Sequence, residues 1–487
     1  MIELPSLITF IIYYIALVAL GLYFYRRTKS IEDYLLGGRG LGVWVTAISA
    51  QASDMSGWLL MGLPGAVYLG GLPAAWIALG LLIGTACNWL LIAKRLRVFT
   101  GRTESITLPT FFERRFNDPS GLLRTLSALI TLIFFTIYTS SGLVASGKLF
   151  ESMFRIDYSL AVALGGFIIV VYTFLGGFLA VSWSDLLQGT LMIIAIVAVP
   201  AAGYSIAGGL EAIEAGAALA AIPLSLVPGR GLSMVAIVSA MAWGLGYFGQ
   251  PHILARFMGI KSADRLSRST VIALVWVVVS LAGAVAVGLI GIPLFPGLAG
   301  GEEEKVFIYL INRVFSPWTA GIMLAAILAA IMSTIDSQLL VSSSTLTEDF
   351  YQKLLKREAS DRELVLVGRV CVVIISLIAF FLALSPDNTV LGLVAYAWAG
   401  FGAAFGPLVI FALFSRNTGW RAALAGMVTG TLTVIIWKST GLGNALYEMV
   451  PGFAANCAAI IVVDRIFPEP DPAAVEEFDN AVRQCRG

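Results

Sequence analysis

The stretch Ser49-Ala50-Gln51-Ala52-Ser53-Asp54-Met55-Ser56-Gly57-Trp58 sets one carboxylate and a group of small polar side chains inside a run otherwise apolar and long enough to cross a bilayer. An ionisable residue at mid-membrane costs about 2.5–3.5 kcal/mol even on the lenient insertion scale, so it persists chiefly where it lines a polar cavity and handles ions or substrate. Asp54 is therefore the first candidate for ion coupling. A second place is Ala330-Ile331-Met332-Ser333-Thr334-Ile335-Asp336-Ser337-Gln338. Its i, i+3, i+4, i+7 spacing puts Ala330, Ser333, Thr334 and Ser337 on one helical face. Hydroxyls on one face suit a small hard cation, which takes about five or six oxygen ligands including backbone carbonyls. A partly unwound neighbouring helix would supply those carbonyls. The same face also serves interhelical hydrogen bonding.

Two further interruptions stand out. Ala242-Trp243-Gly244-Leu245-Gly246-Tyr247-Phe248-Gly249-Gln250-Pro251 sets three glycines and a proline among aromatics. Trp243 and Tyr247, four residues apart, share a face of any α-helical portion, and the glycines leave backbone for a ligand to approach. Close packing of small residues is the competing explanation. Ser182-Trp183-Ser184-Asp185 with Gln188 opens another apolar block. Asp185 there is either a hydrated gate residue or an acid favoured by the dipole at a helix N-terminus.

These groups must be positioned by membrane-spanning helices. The chain is 58% hydrophobic and 13% charged, with a mean hydropathy of +0.89, which describes an integral membrane protein. Apolar blocks near the roughly 20 residues a spanning helix needs recur at approximately 5–25, 42–70, 72–93, 122–150, 158–177, 184–206, 231–250, 269–294, 318–345, 364–384, 388–414, 420–437 and 444–466. That is thirteen blocks. They are continuous and not alternating, so a β-barrel is excluded and the expected class is an all-α membrane protein. The first block has no preceding basic residue, is followed by Arg26, Arg27 and Lys29, and lacks a small-x-small cleavage pattern, so it reads as a retained anchor. With the N-terminus outside, 25 of the 31 Lys and Arg residues fall inside and six outside, namely Lys148, Arg155, Arg230, Lys305, Arg313 and Lys438. Such asymmetry predicts an external N-terminus and a cytoplasmic C-terminus. The Asp54 break and the 242–251 break lie in the second and seventh spans. That separation matches an inverted repeat of two five-helix units, each opening on a discontinuous helix (approximately 42–206 and 231–414).

Several functions fall away. A net charge of +1 says nothing of nucleic acid, and topology explains the positive clusters. Cys87, Cys371, Cys457 and Cys485 have no metal or disulfide spacing. The lone His252 supports neither a metal site nor a nucleophile–base pair. No nucleotide-binding motif is present, and no convergent nucleophile and base point to an enzyme. Residues 1–467 read as one transmembrane domain and 468–487 as a cytoplasmic tail. Segment 208–231 reads as a short external helix, and segment 100–118, too charged to span, as an interfacial cytoplasmic one.

Ala-Ser-Asp-Met-Ser-Gly-Trp at 52–58, Trp-Gly-Leu-Gly-Tyr-Phe-Gly-Gln-Pro-His at 243–252, and Met-Ser-Thr at 332–334 followed by Gln-Leu-Leu at 338–340 resemble the sodium/solute symporter family, and most of all its proline-transporting branch. Phe-Leu-Gly-Gly-Phe at 174–178 and Thr-Glu-Asp at 347–349 extend the likeness along the chain. The resemblance implies a leucine-transporter-like core and sodium-driven import of L-proline by alternating access, in the plasma (inner) membrane, with no cofactor beyond sodium as the coupling ion. It implies a sodium site of the Ala52 and Met55 carbonyls, the Ala330 carbonyl and the Ser333 and Thr334 hydroxyls, tuned by Asp54. Substrate would sit against Ser56, Gly57, Trp243, Tyr247 and Pro251, with Tyr138, and Asp185 would lie on the inward sodium path. Asp336 matches no family requirement; on a helical wheel it stands about 60° from Ser333, near enough to add negative charge to the ion route. Proton coupling, another small solute, and a channel or sensor on the same fold are the alternatives.

Overall fold

Lipid offers no hydrogen-bond partners, so spanning segments must satisfy their own backbone groups, and helices do so. The computed structural model describes residues 4–25, 36–175, 177–228, 233–356, 358–385, 388–468 and 471–486, and among them the regular structure is helical apart from one bridge between Leu41 and Ile260. Arg26, Arg27, Lys29, Gly176, Arg230 and Gly231, used above, lie outside the described residues.

In chain order the helices are α1 (Leu4–Tyr25), α2 (Val43–Asp54), α3 (Leu63–Gly70), α4 (Ala75–Cys87), α5 (Ala93–Arg102), α6 (Leu108–Arg115), α7 (Leu122–Phe154), α8 (Tyr158–Leu175), α9 (Phe178–Ala207) and α10 (Gly209–Leu219). They continue as α11 (Met234–Met241), α12 (Pro251–Gly259), α13 (Leu266–Leu294), α14 (Val306–Val314), α15 (Pro317–Ser344), α16 (Asp361–Ala383), α17 (Val390–Phe414), α18 (Trp420–Ser439), α19 (Met449–Ile466) and α20 (Pro472–Arg486). Ten helices among the described residues have the length and hydropathy to cross a membrane, and three shorter apolar ones, Trp58–Gly70, Tyr158–Phe174 and Met234–Gly249, fall on the remaining expected blocks. Two of those three belong to the segments that carry the breaks.

Both discontinuities fall where the glycines and proline put them. After α2 the chain turns at Met55 (φ −84°, ψ 78°) and resumes through a π-helical turn, Trp58–Gly62, into α3. After α11 it winds as a 3-10 helix over Ala242–Gly249, extends at Gln250 (φ −82°, ψ 108°) and restarts at Pro251, whose fixed φ and missing N–H suit a first helical position.

Contacts at the two ends respect the alternation of the expected spans. At one end Arg39 donates to the Thr100 and Ser105 carbonyls (3.0 and 2.9 Å), Arg115 to the Ala412 carbonyl (2.7 Å), and Arg124 pairs with Asp349 (2.5 Å). Helix α20 docks at this end, burying Phe478 and pairing Glu477 with Arg102 (2.6 Å). The segment expected to lie at the interface instead buries Leu108, Phe111 and Phe112 of α6, because these apolar side chains have a bundle surface to cover. At the opposite end Glu304 pairs with Lys148 (2.6 Å) and accepts the Val390 and Leu391 N–H groups (3.0 and 3.1 Å). Large exposed side chains such as Phe167, Val271 and Phe381 lie on spanning helices, as a lipid-facing surface requires.

Candidate ion and substrate site

The break after α2 frees backbone oxygen at the centre of the protein. Ser56 N–H turns back to the Asp54 carbonyl (3.0 Å), as does the Trp58 indole N–H (3.0 Å). The Ala52 carbonyl is met from α15, where Ser333 Oγ donates at 2.7 Å and Thr334 Oγ1 at 3.4 Å. The same hydroxyls stand 3.2 and 3.3 Å from the Ala330 carbonyl. Four oxygens from two helices thus lie in one buried cluster. Ligands about 2.4 Å from a cation stand about 3.4 Å apart in octahedral geometry, a separation close to those between these oxygens. Met55, at the break itself, is fully buried beside the cluster.

Asp54 is fully buried and has no cationic partner among the described residues. Its Oδ2 accepts from Tyr247 Oη at 2.5 Å, and its Oδ1 has no hydrogen-bond partner. Ser56 and Gly57 follow in the turn, where a Cβ on Gly57 would come 2.8 Å from that of Ala145 on α7, so only glycine lets the break sit this close. Tyr138 on α7 is buried and stands edge-on to His252 at 6.0 Å between centroids, one residue after Pro251.

The 3-10 winding changes the expected pairing of Trp243 and Tyr247. With three residues per turn, positions four apart diverge by about 120°. Tyr247 therefore reaches Asp54, whereas Trp243 stacks on Tyr447 of the loop before α19 at 5.6 Å. The Trp243 carbonyl accepts from Trp398 Nε1 of α17 at 2.7 Å. The glycines there do not face open space: a Cβ on Gly246 would meet Trp398 Nε1 at 1.9 Å, and one on Gly244 the Gly80 carbonyl at 2.2 Å. Neighbouring helices occupy the notches expected to admit a ligand.

Asp185 is also corrected in part. Helix α9 begins at Phe178, so Asp185 lies two turns inside and is no first-turn acid. It is fully buried and pairs with Arg256 Nη2 of α12 at 3.1 Å, with Ser49 Oγ donating at 2.6 Å and Ser53 Oγ at 3.2 Å. Arg256 also donates to Ser337 Oγ, one turn beyond Ser333, so this ion pair adjoins the oxygen cluster. Arg256 is one of the 25 basic residues that the charge count places inside; the signal that it is buried is the flanking Ile253, Leu254, Phe257 and Met258, which mark a buried helix. Asp336 lies in the same region, with Oδ1 accepting from Thr173 and Oδ2 buried without a hydrogen-bond partner. No group of three His, Cys, Asp or Glu residues able to hold a metal ion occurs among the described residues.

Broken helices that meet across a buried oxygen cluster define a leucine-transporter-like secondary transporter fold, and solved structures share it. A Na+-coupled sialic acid symporter in a substrate-bound outward-open state superposes with a TM-score of 0.80 at 19% identity, over 96% of this chain and 99% of that one. MhsT in complex with L-phenylalanine gives 0.59 at 15% identity, over 87% and 98%. Residues 34–430 match the Sodium:solute symporter family, and the chain belongs to it. Similar curated proteins include the sodium/proline symporter of Escherichia coli (strain K12), 50% identical over 99% of this chain and 97% of that protein. Another is the high-affinity proline transporter PutP of Bacillus subtilis (strain 168), 48% identical over 95% of this chain and 98% of its own.

Proposed function

We propose that this multi-pass membrane protein imports proline together with sodium by alternating access. The observation that carries the reading is the Ala52–Ser333–Thr334–Ala330 oxygen cluster, which joins α2 to α15 and so spans the two repeat units. Its composition, two hydroxyls and two carbonyls without a formal charge, suits a monovalent hard cation. The likeness to proline transporters over nearly the whole chain supports the solute.

In this reading sodium binds Ala52, Met55, Ala330, Ser333 and Thr334, drawing the units together, and Asp54 supplies negative potential from the adjoining turn. Proline lies against Ser56, Gly57, Tyr138, Tyr247, Pro251 and Trp243, its carboxylate met by donors at the broken helix and its ring by aromatic faces. Asp185 marks the inward ion path, with Arg256 as its counter-charge. Sodium and proline raise each other's affinity reciprocally, since coupling is a difference in affinity between states. With the N-terminus outside and the C-terminus inside the inner membrane, an inside-negative potential adds about 2.3 kcal/mol per 100 mV for each charge carried in. Residues 1–467 form the transporting domain in this scheme and 468–487 its cytoplasmic tail.

Uptake of radiolabelled proline into proteoliposomes tests it. An inward sodium gradient should drive accumulation, and replacing sodium with choline at constant pH should abolish it. Equal uptake in choline would overturn sodium coupling in favour of protons, and no uptake of proline in either salt would overturn the solute.

A further inference from the structure

A second site lies away from the broken helices. A cavity of about 500 Å³ opens at the end of the molecule that carries α20, lined by Lys94, Arg97, Arg102, Lys261, Asp264 and Gln484 among others. Four cations face one acid. Arg102 is committed to Glu477. Lys94, Arg97 and Lys261 have no ion pair among the described residues, and Arg97 is held in place by donating Nε to the Ile260 carbonyl at 2.8 Å. Such a concentration of unpaired positive charge repels itself unless an anion joins it.

What surrounds the cavity says which anion. Helix α5 continues directly from the apolar run that includes Ile83, Leu90 and Leu91, all exposed, and the opposite wall leads into α13, where Val271 and Val275 are exposed. Both walls are therefore lipid-facing on one side of the cavity and polar on the other. The cations stand where the apolar surface ends, which is headgroup level. We propose that this cavity binds the phosphodiester headgroup of an anionic phospholipid, whose acyl chains lie along the exposed faces of α4 and α13. A basic pocket between spanning helices at the positively charged side is the known physical setting for such recognition. Because Gln484 of α20 lines the same cavity, the bound headgroup bridges the terminal helix to α5 and to the α12–α13 loop.

The full-length protein in vesicles of phosphatidylcholine doped with spin-labelled phosphatidylglycerol, or with spin-labelled phosphatidylcholine, reports association through the motionally restricted fraction. The wild type should prefer phosphatidylglycerol. The double variant Lys94→Gln, Lys261→Gln should lose about tenfold or more of that preference, whereas Lys438→Gln at the opposite end should keep it. Lys261→Gln alone removes an exposed side chain and gives a folded variant in which a smaller loss is expected. Equal association of both labelled lipids with the wild type, or an unchanged preference in Lys261→Gln and in the double variant, would overturn the proposal. Displacement of the labelled lipid by inorganic phosphate would show a free-anion site and overturn it as well.

Discussion

Tyr247 Oη donates to Asp54 Oδ2 at 2.5 Å, and this one hydrogen bond joins the broken segment of the first repeat unit to that of the second. Both residues are fully buried. The Asp54 carboxyl group therefore has a neutral partner and not a cation, and its other oxygen is left without a hydrogen-bond partner.

Tyr247→Phe should raise the sodium concentration for half-maximal uptake. A hydrogen bond to a charged group contributes about 1.5–3 kcal/mol, so an effect of about tenfold or more is expected. Asp54→Asn should do at least as much while leaving the amount of protein in the membrane close to wild type. Sodium titrations of uptake by both variants decide this; wild-type half-saturation in each would make the pair a packing contact.

Ser333→Ala removes the stronger donor to the Ala52 carbonyl and one cluster oxygen. The expected outcome is weaker sodium activation, with near-normal proline affinity once sodium is saturating. Binding of labelled proline measured across a sodium series separates the two. A proline affinity that stays low at every sodium concentration would argue for general disruption of the site.

Arg256→Gln leaves Asp185 buried without its counter-charge, which costs about 3–5 kcal/mol. Asp185→Asn alone strands Arg256 in the same way. The double variant removes both charges and should recover much of the lost stability. Thermal unfolding of the four proteins in detergent gives the coupling energy, and strictly additive losses would count against a direct pair.

Trp243→Ala should weaken proline binding. Its stacking on Tyr447 means that packing alone predicts the same loss for Tyr447→Leu. Proline affinity and membrane abundance measured in both variants distinguish the cases: recognition lowers affinity in the first much more than in the second, whereas packing lowers both together.

The apolar helices were legible because lipid demands long uninterrupted apolar runs, and the two breaks because glycine and proline announce them. The shared face of Ser333 and Thr334 followed from helical period alone, and the structure brings it to Ala52. What stayed hidden were partners supplied from distant segments. Arg256 is only one of the 25 inside charges in the sequence, because a Lys/Arg count does not separate a buried guanidinium from a solvated one. Trp243 and Tyr247 diverge because the segment winds as a 3-10 helix, with neighbouring helices packed into its glycine notches, and no local pattern specifies either. Asp185 moved inward because α9 starts at Phe178, six residues before the expected boundary at 184.

At the opposite end of the bundle Glu304 serves three donors at once: the Lys148 ammonium and the N–H groups of Val390 and Leu391. No second carboxylate pairs with Lys148 among the described residues. Withdrawing this side chain strands an ammonium on α7 and frees the first two N–H groups of α17 in the same event, leaving Thr389 Oγ1 to hold only that of Gly392. The three contacts therefore have one common hinge-pin, and they are made or lost as a set and not one by one.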